Sequence, residues 1–481
     1  MNMVLKRFSI VMVCLLLVVG LFGCTKNTSE KASNKPEGDK PKEIKLTYQY
    51  WDLIPDQEKI FAQFSEEYKA KTGINVTIDG QYISDAGWED TLKTQVAAGG
   101  GPDVFHLDLG LASSWRDAVI QPLSPYYEKK FWEQFIPSAI NVWKFDKEYY
   151  AVPNSFSVVS FLYNKEMFKN AGVNVDGSTR WSLADFEDAM AKLHDTYQGK
   201  TTKYEDGKEY PYYTVGTASL MYWWWLFWSY GGESLSETNN IAQNEYVDAI
   251  MKIAEYADKG WVTNAADVLP GKTTIAFSSA ANVALYPTGD WTPTTFYRKD
   301  KGIGEAKVPL NVDYGSLVVP LGDDGKPHAE MYNQGVVMNK NLDGWKAKAA
   351  AEFIQYMTTT DAWMGARGPE VGGLGIPART EWADQYATSW FDKPEQRDAF
   401  VWTANNGVIT TSDYNVSGVD MYTPIQDALT LAYNEAMKTG SLDSDSVRKQ
   451  VVKKLEEGQK SLNTQLQEND IELDNPDAKV K

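Results

Sequence analysis

Cysteine and histidine are scarce in this sequence, which limits the kinds of site that it can form. Its 481 residues include two cysteines and three histidines. The histidines are far apart, and none has a second ligand at helical spacing, so the sequence predicts no zinc site. It also lacks a calcium-binding loop of the Asp-x-Asn-x-Asp-Gly type and a glycine motif for phosphate. We therefore expect neither a metal ion nor a cofactor.

Basic residues are too few to balance the acidic ones. The chain has 47 Lys and Arg against 65 Asp and Glu, which gives a formal net charge of −18. Nucleic acid and anionic membrane surfaces attract positively charged proteins, so neither is expected as a partner of the folded part. The chain is long enough for two large lobes.

An apolar run near the start predicts where the protein is located. Residues 8–22 form this run, and they follow Lys6 and Arg7. A helix that spans a bilayer needs about 20 apolar residues, and this run is shorter. Positive charge ahead of a short apolar run is typical of a secretory signal peptide. We predict that residues 1–23 are this peptide; the alternative is an uncleaved anchor.

The sequence Leu21-Phe22-Gly23-Cys24 resembles a bacterial lipobox, where the chain is cut before a cysteine that carries diacylglycerol. Cys14 would be removed with the signal peptide. Cys24 would then be the only thiol, so no internal disulfide is expected. Residues 24–42 are almost all polar and predict a disordered tether. We expect a lipid anchor at Cys24 on the extracytoplasmic face of a bacterial cell membrane.

From residue 43 the pattern is strand, helix, strand. Residues 44–50 alternate like a strand, a helix with one apolar face follows, and residues 74–78 form the next strand. This order predicts an α/β fold with a mainly parallel sheet. Ligands of such sheets bind at the carboxyl ends of the strands. Trp51, Asp52 and Asp108 are expected at that edge.

Residues 222–230 contain seven aromatic side chains and are followed by Gly231-Gly232. A helix with one buried stripe would leave two or three of these rings outside the core. We predict that some of them, among Trp223, Trp224 and Trp225, line a cleft for a flat, half-apolar ligand such as a sugar. The alternative is a core helix.

Several short motifs occur in a characteristic order. They are Gly100 to Phe105, Gln121-Pro122-Leu123, Phe161 to Phe168, Ala171-Gly172, Trp181 to Phe186, Gly289-Asp290-Trp291, Ala349 to Phe353 and Gly375 to Arg379. In this order, behind a lipobox, the chain resembles the maltose-binding-protein-like family of extracellular solute-binding lipoproteins of carbohydrate ABC transporters. The resemblance covers roughly residues 43–465.

The resemblance implies a two-lobed, periplasmic-binding-protein-like α/β fold, with the lobes joined by three chain crossings and a cleft between them. Lobe one would take residues 43–155 plus 331–371, and lobe two residues 156–330 plus 372–481. The crossings are expected near Phe156-Ser157, near Tyr332 to Gly335, and near Val371 to Gly373. The implied partners are an oligosaccharide and the membrane permease subunits of an ABC importer, and the protein is expected to be a monomer.

The expected ligand-binding residues combine this resemblance with the chemistry of sugars. A sugar needs carboxylates and amides for its hydroxyl groups and indoles for its ring faces. The expected set is Trp51, Asp52, Asp108, Trp223, Trp224, Trp225, Asp290, Trp291, Asn333, Gly372, Gly373 and Tyr422.

Two other functions fit parts of the same pattern. Paired carboxylates such as Asp52 and Asp108 serve as acid and base in a glycoside hydrolase. Acidic and aromatic groups together also bind polyamines and other organic cations. The ordered motifs favour reversible binding of an oligosaccharide over both.

Overall fold

The structure is a computed structural model. It describes residues 39–51, 57–83, 87–116, 118–145, 147–204, 207–217, 219–235, 238–263, 273–293, 296, 310–366, 375–383, 393–410, 415–416, 419–439, 442–468 and 471–480. The predicted signal peptide and Cys24 lie outside these residues.

Helices and strands alternate along most of the described chain. The helices are α1 Gln57–Thr72, α2 Trp88–Ala97, α3 Leu109–Trp115, α4 Lys129–Trp132, α5 Pro137–Asn141, α6 Lys165–Asn170, α7 Leu183–Tyr197, α8 Trp224–Ser229, α9 Asn244–Asp258, α10 Thr273–Ser278, α11 Gly344–Thr359, α12 Asp361–Ala366, α13 Asp398–Asn406, α14 Tyr422–Thr439 and α15 Ser444–Glu468. Short 3-10 turns occur at Ser124–Tyr126, Leu220–Tyr222 and Pro394–Gln396. Within the described ranges, no helix has both the length and the apolar character needed to cross a bilayer.

The strands are β1 Glu43–Tyr50, β2 Asn75–Tyr82, β3 Val104–Asp108, β4 Lys144–Phe145, β5 Glu148–Tyr149, β6 Ala151–Asn164, β7 Thr201–Lys203, β8 Glu209–Pro211, β9 Tyr213–Val215, β10 Val283–Gly289, β11 Tyr314–Leu317, β12 His328–Met338, β13 Ile376–Pro377, β14 Val408–Thr410, β15 Asn415–Val416 and β16 Val419–Asp420.

The first three elements form as the sequence pattern predicts. Helix α1 buries its apolar face, including Ile60, Phe61 and Phe64, against the sheet. Gly73 follows the helix with a φ of 75°, a left-handed conformation that favours glycine, and turns the chain into β2. Strands β1 and β2 then pair in parallel.

The main sheet is mixed, so the prediction of a mainly parallel sheet is wrong: only the pairs of β1 with β2 and β3, of β9 with β10, and of β12 with β14 are parallel among the described strands of this sheet. Its order is β2-β1-β3-β12-β6-β10-β9, with β11 and β13 added on β6 and β14 on β12. Strand β12 runs antiparallel to both β3 and β6, and β10, β11 and β13 also pair antiparallel with β6. The long strands β6 and β12 lie next to each other, run in opposite directions and connect the two halves of the sheet.

The two halves of the sheet are joined through three segments. Strand β6 pairs with β12 over residues 151–158 and with β10 over residues 159–163. Strand β12 returns beside it, and β13 pairs with Ser155 and Phe156 at the middle of β6. Strands β6 and β12 contain the first two positions where the resemblance expects the chain to cross, and the third expected crossing, near Val371 to Gly373, lies outside the described residues. The exact lobe limits stay predictions.

The last two helices match the expected amphipathic pattern. The sequence predicts helices over residues 424–437 and 446–462, and α14 and α15 contain these ranges. Val447, Val451, Leu455 and Leu462 are buried, as their spacing predicts. Both helices pack onto α9 in the core of the second lobe.

Candidate ligand-binding site

A row of polar side chains lies where the two halves of the sheet meet. Side chains two positions apart on a strand share a face, and directly paired residues share it too. The strand register therefore places on one face Asp108 of β3, Ser155 and Ser157 of β6, and Glu330, Tyr332 and Gln334 of β12. Asp108, Tyr332 and Gln334 are partly exposed, so the face is accessible at these three positions, whereas Ser155, Ser157 and Glu330 are 7%, 9% and 1% exposed.

The opposite face of the same strands belongs to the core. Phe156 and Met331 are buried there among apolar side chains. Asn333 also points this way and is 1% exposed. Its Oδ1 accepts a hydrogen bond from Trp143 Nε1 at 2.8 Å, and its Nδ2 donates to the Ala139 carbonyl at 2.8 Å. The prediction that Asn333 binds ligand is therefore wrong, because both ends of its amide hold lobe one together.

Trp291 lies beside the polar face, and its role as a ligand-binding residue stays a prediction. Its ring meets the Tyr332 ring edge-on, with centroids 5.6 Å apart. The ring also covers the backbone of Gly289, where a Cβ atom would lie 1.9 Å from it. Glycine is required at position 289 for this reason. Trp291 remains half-buried, so part of its ring is accessible.

Tyr422 lies at the start of α14, at the lobe-two end of the polar face. Burial raises the pKa of its hydroxyl, hydrogen bonds with Ser219 and Met221 oppose the rise, and the Glu330 carboxylate adds to it. Its Oη donates to Gln426 Oε1 at 3.2 Å. The Glu330 carboxylate of β12 is therefore close enough to the Tyr422 hydroxyl to interact with it electrostatically.

Tyr222 approaches this pair from the aromatic run. Burial, with Tyr286 and Tyr422 close by, raises the pKa of its hydroxyl above the ordinary value. Tyr222 is half-buried. Tyr222 is thus an aromatic residue of the run that lies near Tyr422.

The three central tryptophans of the run are core residues instead. Trp223, Trp224 and Trp225 are 0%, 1% and 1% exposed. The prediction that they line the cleft is wrong, because α8 is only six residues long and is enclosed on all sides by the core of lobe two. A helix that is apolar all round is buried all round when enough elements surround it.

Asp290 is fully buried as well, with 0% of its surface exposed. A ligand hydroxyl has no access to it in this structure, which contradicts its predicted role. Asp290 directly follows β10, and its neighbour Trp291 is half-buried.

Lobe one contributes Trp51 and Asp108 at the carboxyl ends of β1 and β3. The Trp51 ring packs on Trp88, with centroids 4.4 Å apart, and edge-on against His106 at 5.1 Å. Asp108 is the N-cap of α3, and its Oδ1 accepts a hydrogen bond from the Gly110 N–H at 3.0 Å. Asp108 therefore has a structural role in addition to its place on the polar face.

Three other predicted site residues, Asp52, Gly372 and Gly373, lie outside the described residues. The nearest described residue to the glycine pair is Gly375, which has a φ of 79°. A Cβ atom there would lie 2.8 Å from the Phe156 carbonyl oxygen. Gly375 thus allows the third segment to approach the centre of β6. Within the described residues, no group of three or more His, Cys, Asp or Glu side chains is placed to hold a metal ion.

The sequence analysis did not single out the partly exposed Tyr332 and Gln334 as candidate site residues, nor the buried Ser155, Ser157 and Glu330 on the same face. The pattern that identifies them is the alternation of polar residues with Phe156 and Met331 in two strands that cross between the lobes. A buried sheet face is normally apolar, so polar side chains at every second position indicate a face turned to a ligand or to water.

Comparison with known proteins assigns the family. The model of a family described as bacterial extracellular solute-binding protein matches residues 52–362, well over half of the chain. The chain belongs to this family. This solute-binding protein is similar to the multiple sugar-binding protein of Streptococcus mutans, 22% identical over 373 residues, or 72% of this chain and 79% of that one.

Other curated relatives match over shorter lengths. The maltotriose-binding protein of Pyrococcus abyssi is 25% identical over 145 residues, which is 30% of each chain. Binding proteins of Brucella are matched over 59% of their length. The solute-binding protein thus spans only part of several of its curated relatives.

Solved structures share the fold over nearly the whole chain. An ABC substrate-binding protein from Listeria monocytogenes in complex with cycloalternan has a TM-score of 0.64 at 18% identity, covering 89% of this chain and 100% of that one. A cyclo/maltodextrin-binding protein complexed with maltotetraose has a TM-score of 0.63 at 17% identity, covering 90% and 99%. These likenesses confirm the two-lobed fold that the sequence predicts.

Proposed function

We propose that this protein binds an oligosaccharide in the cleft between its lobes and delivers it to the permease subunits of an ABC importer. The observation that carries the proposal is the polar face at the lobe junction. Carboxylate, amide and hydroxyl groups lie there beside the partly exposed rings of Trp291 and Tyr332. Sugars present hydroxyl groups at their edges and apolar faces to such rings.

The relatives give independent support. The relatives from Streptococcus mutans and Pyrococcus abyssi are named as binding proteins for multiple sugars and for maltotriose. Two solved structures with the same fold contain cycloalternan and maltotetraose. This chain carries hydroxyl, amide and aromatic groups where such a ligand would contact both lobes.

A thermal-shift screen tests the proposal. Maltotriose, arabinotriose and chitotriose serve as sugars, and spermidine serves as the organic cation. A ligand that binds only the folded protein raises its melting temperature. We expect at least one sugar to raise it and spermidine to leave it unchanged. A rise in melting temperature with spermidine alone would indicate that the ligand is an organic cation and not a sugar.

We also infer that the protein does not hydrolyse its ligand. Its family consists of binding proteins, and Asp108, a candidate acid or base, is engaged as a helix cap. Incubation with the trisaccharide that binds should return it intact by chromatography. The appearance of mono- and disaccharides would identify a glycoside hydrolase.

The extracellular family agrees with an exported protein, and we propose that Cys24 carries the lipid anchor. The lipobox at residues 21–24 and the polar tether that follows support this. Cys24→Ala should abolish lipid attachment in a bacterial host, as measured by intact-protein mass spectrometry. A lipid retained on the variant would contradict the assignment.

A further inference from the structure

Several buried side-chain polar atoms on lobe one have no hydrogen-bond partner among the described residues, and two of them belong to side chains that contact the same imidazole. One is Nε1 of Trp51, a residue that is 7% exposed. The other is Oδ1 of Asn154. A buried donor or acceptor without a partner costs about 1–3 kcal/mol. Such atoms are therefore rare, and each calls for an explanation.

Both atoms belong to side chains that touch the same imidazole. The Trp51 ring meets His106 edge-on, with centroids 5.1 Å apart. Asn154 Nδ2 lies 3.3 Å from His106 Nε2, and Tyr48 Oη lies 2.7 Å from the same nitrogen. The contact with His106 holds one end of the Asn154 amide, and the other end is the oxygen without a partner.

The backbone places Asn154 there through a β-bulge. Pro153 pairs with Gly335 and Ser155 pairs with Gln334, so Asn154 is an extra residue on β6. A bulge redirects the side chain of the inserted residue and is common next to binding sites. His106 lies two residues before Asp108 on β3, so its side chain shares the face of the candidate site.

We infer that Trp51, Asn154 and His106 form a subsite for one hydroxyl group of the ligand. Indole Nε1–H only donates, whereas an amide oxygen only accepts. A hydroxyl group does both and satisfies the two atoms together. An ammonium group would leave the indole unsatisfied, and a carboxylate or phosphate would leave the amide oxygen unsatisfied. The subsite rests on the proposed function and narrows it toward a neutral sugar.

Calorimetry on the full chain tests the subsite, with the trisaccharide that binds best among maltotriose, arabinotriose and chitotriose. Trp51→Phe keeps a ring but removes the donor, and Asn154→Ala removes the acceptor. Each should weaken binding about threefold to tenfold, as expected for a lost neutral hydrogen bond. The double variant should lose less than the product of the two, because both bonds go to one hydroxyl group.

Trp115→Phe is the matched control, since Trp115 is 8% exposed in the same lobe and packs near Phe105. Its affinity should match that of the wild type. Affinities unchanged in both subsite variants, with a lower ligand-free melting temperature, would assign the two atoms to a structural water and overturn the subsite. A wild-type protein that binds none of the three sugars would instead remove the oligosaccharide proposal and the subsite with it.

Discussion

Trp223 and Trp225 are both buried, but their indole N–H groups have different environments. Trp223 Nε1 donates to the Thr217 carbonyl at 3.0 Å, whereas Trp225 Nε1 has no partner among the described residues. Trp223→Phe would leave a buried carbonyl unpaired, and Trp225→Phe would remove an unpaired donor. We expect Trp223→Phe to lower the free energy of unfolding by about 1–3 kcal/mol more than Trp225→Phe.

Urea denaturation of the two variants measures this difference. The change in ring size is the same in both, so the cavity cost largely cancels in the comparison. Equal losses of stability would show that the hydrogen bond of Trp223 contributes nothing measurable.

Asp108 has two roles that substitutions can separate. As the N-cap of α3 it stabilises the helix, and Asn caps as well as Asp does. Asp108→Ala should lower the free energy of unfolding by about 0.5–2 kcal/mol, and Asp108→Asn should change it little. If the carboxylate also accepts a ligand hydroxyl, both variants should weaken sugar binding by about tenfold to a hundredfold.

Calorimetry with the best trisaccharide and urea denaturation without it provide the two measurements. Wild-type affinity in Asp108→Ala, with reduced stability, would leave Asp108 with the structural role alone.

The role of a single residue is harder to predict than the position of a segment, because neighbouring side chains on one strand point to opposite faces. Asn333 and Gln334 are both amides in the predicted crossing segment. Asn333 is bonded to Trp143 and Ala139 inside lobe one, whereas Gln334 shares the polar face with Asp108. A sequence shows that the two point to opposite faces, but which face is the core depends on elements distant in the chain.

At the scale of elements, local periodicity was sufficient for β1, α1, β2, α14 and α15. Their apolar spacing is independent of the rest of the chain. The antiparallel pairing of β12 with β3 and β6 joins residues more than 150 positions apart, and no local pattern encodes it. The burial of helix α8 cannot be predicted from its own sequence, because it depends on the elements that surround the helix on all sides.

A substitution at Gly375 tests the contact of β13 and the residue before it with β6. Its φ of 79° disfavours any side chain, and an added Cβ would lie 2.8 Å from the Phe156 carbonyl oxygen and 2.9 Å from Ser157 Oγ. Gly199 has a similar φ of 72° with no atom within 4 Å of an added Cβ. Gly199→Ala therefore reports the conformational cost alone, about 1–2 kcal/mol.

We expect Gly375→Ala to lower the melting temperature more than Gly199→Ala, because the overlap with β6 adds to the conformational cost. It should also weaken sugar binding, since Ser157 lies on the polar face. Equal melting temperatures for the two variants would mean that the chain at position 375 moves away from β6 without any loss of stability.

At the scale of the whole molecule, the candidate site has contributions from both halves of the sheet. Trp51 and Asp108 lie at the ends of lobe-one strands, whereas Trp291 and Tyr422 belong to the segments predicted for lobe two. A ligand that contacts both sides binds a closed arrangement better than an open one, and that difference alone shifts the population toward closure. We therefore expect the radius of gyration from small-angle scattering to decrease when the best trisaccharide saturates the protein.

The structure also predicts which tryptophan reports closure. Trp223, Trp224 and Trp225 are enclosed in the core, so the ligand does not change their surroundings. Trp291 is half-buried beside Tyr332 at the junction and would pass from water to the sugar face. Trp291→Phe should reduce the ligand-induced change in tryptophan emission and leave the part that comes from Trp51 at the subsite, whereas Trp225→Phe should retain the full change. A full emission change in Trp291→Phe, or a constant radius at saturation, would contradict closure around this ring while leaving sugar binding itself in place.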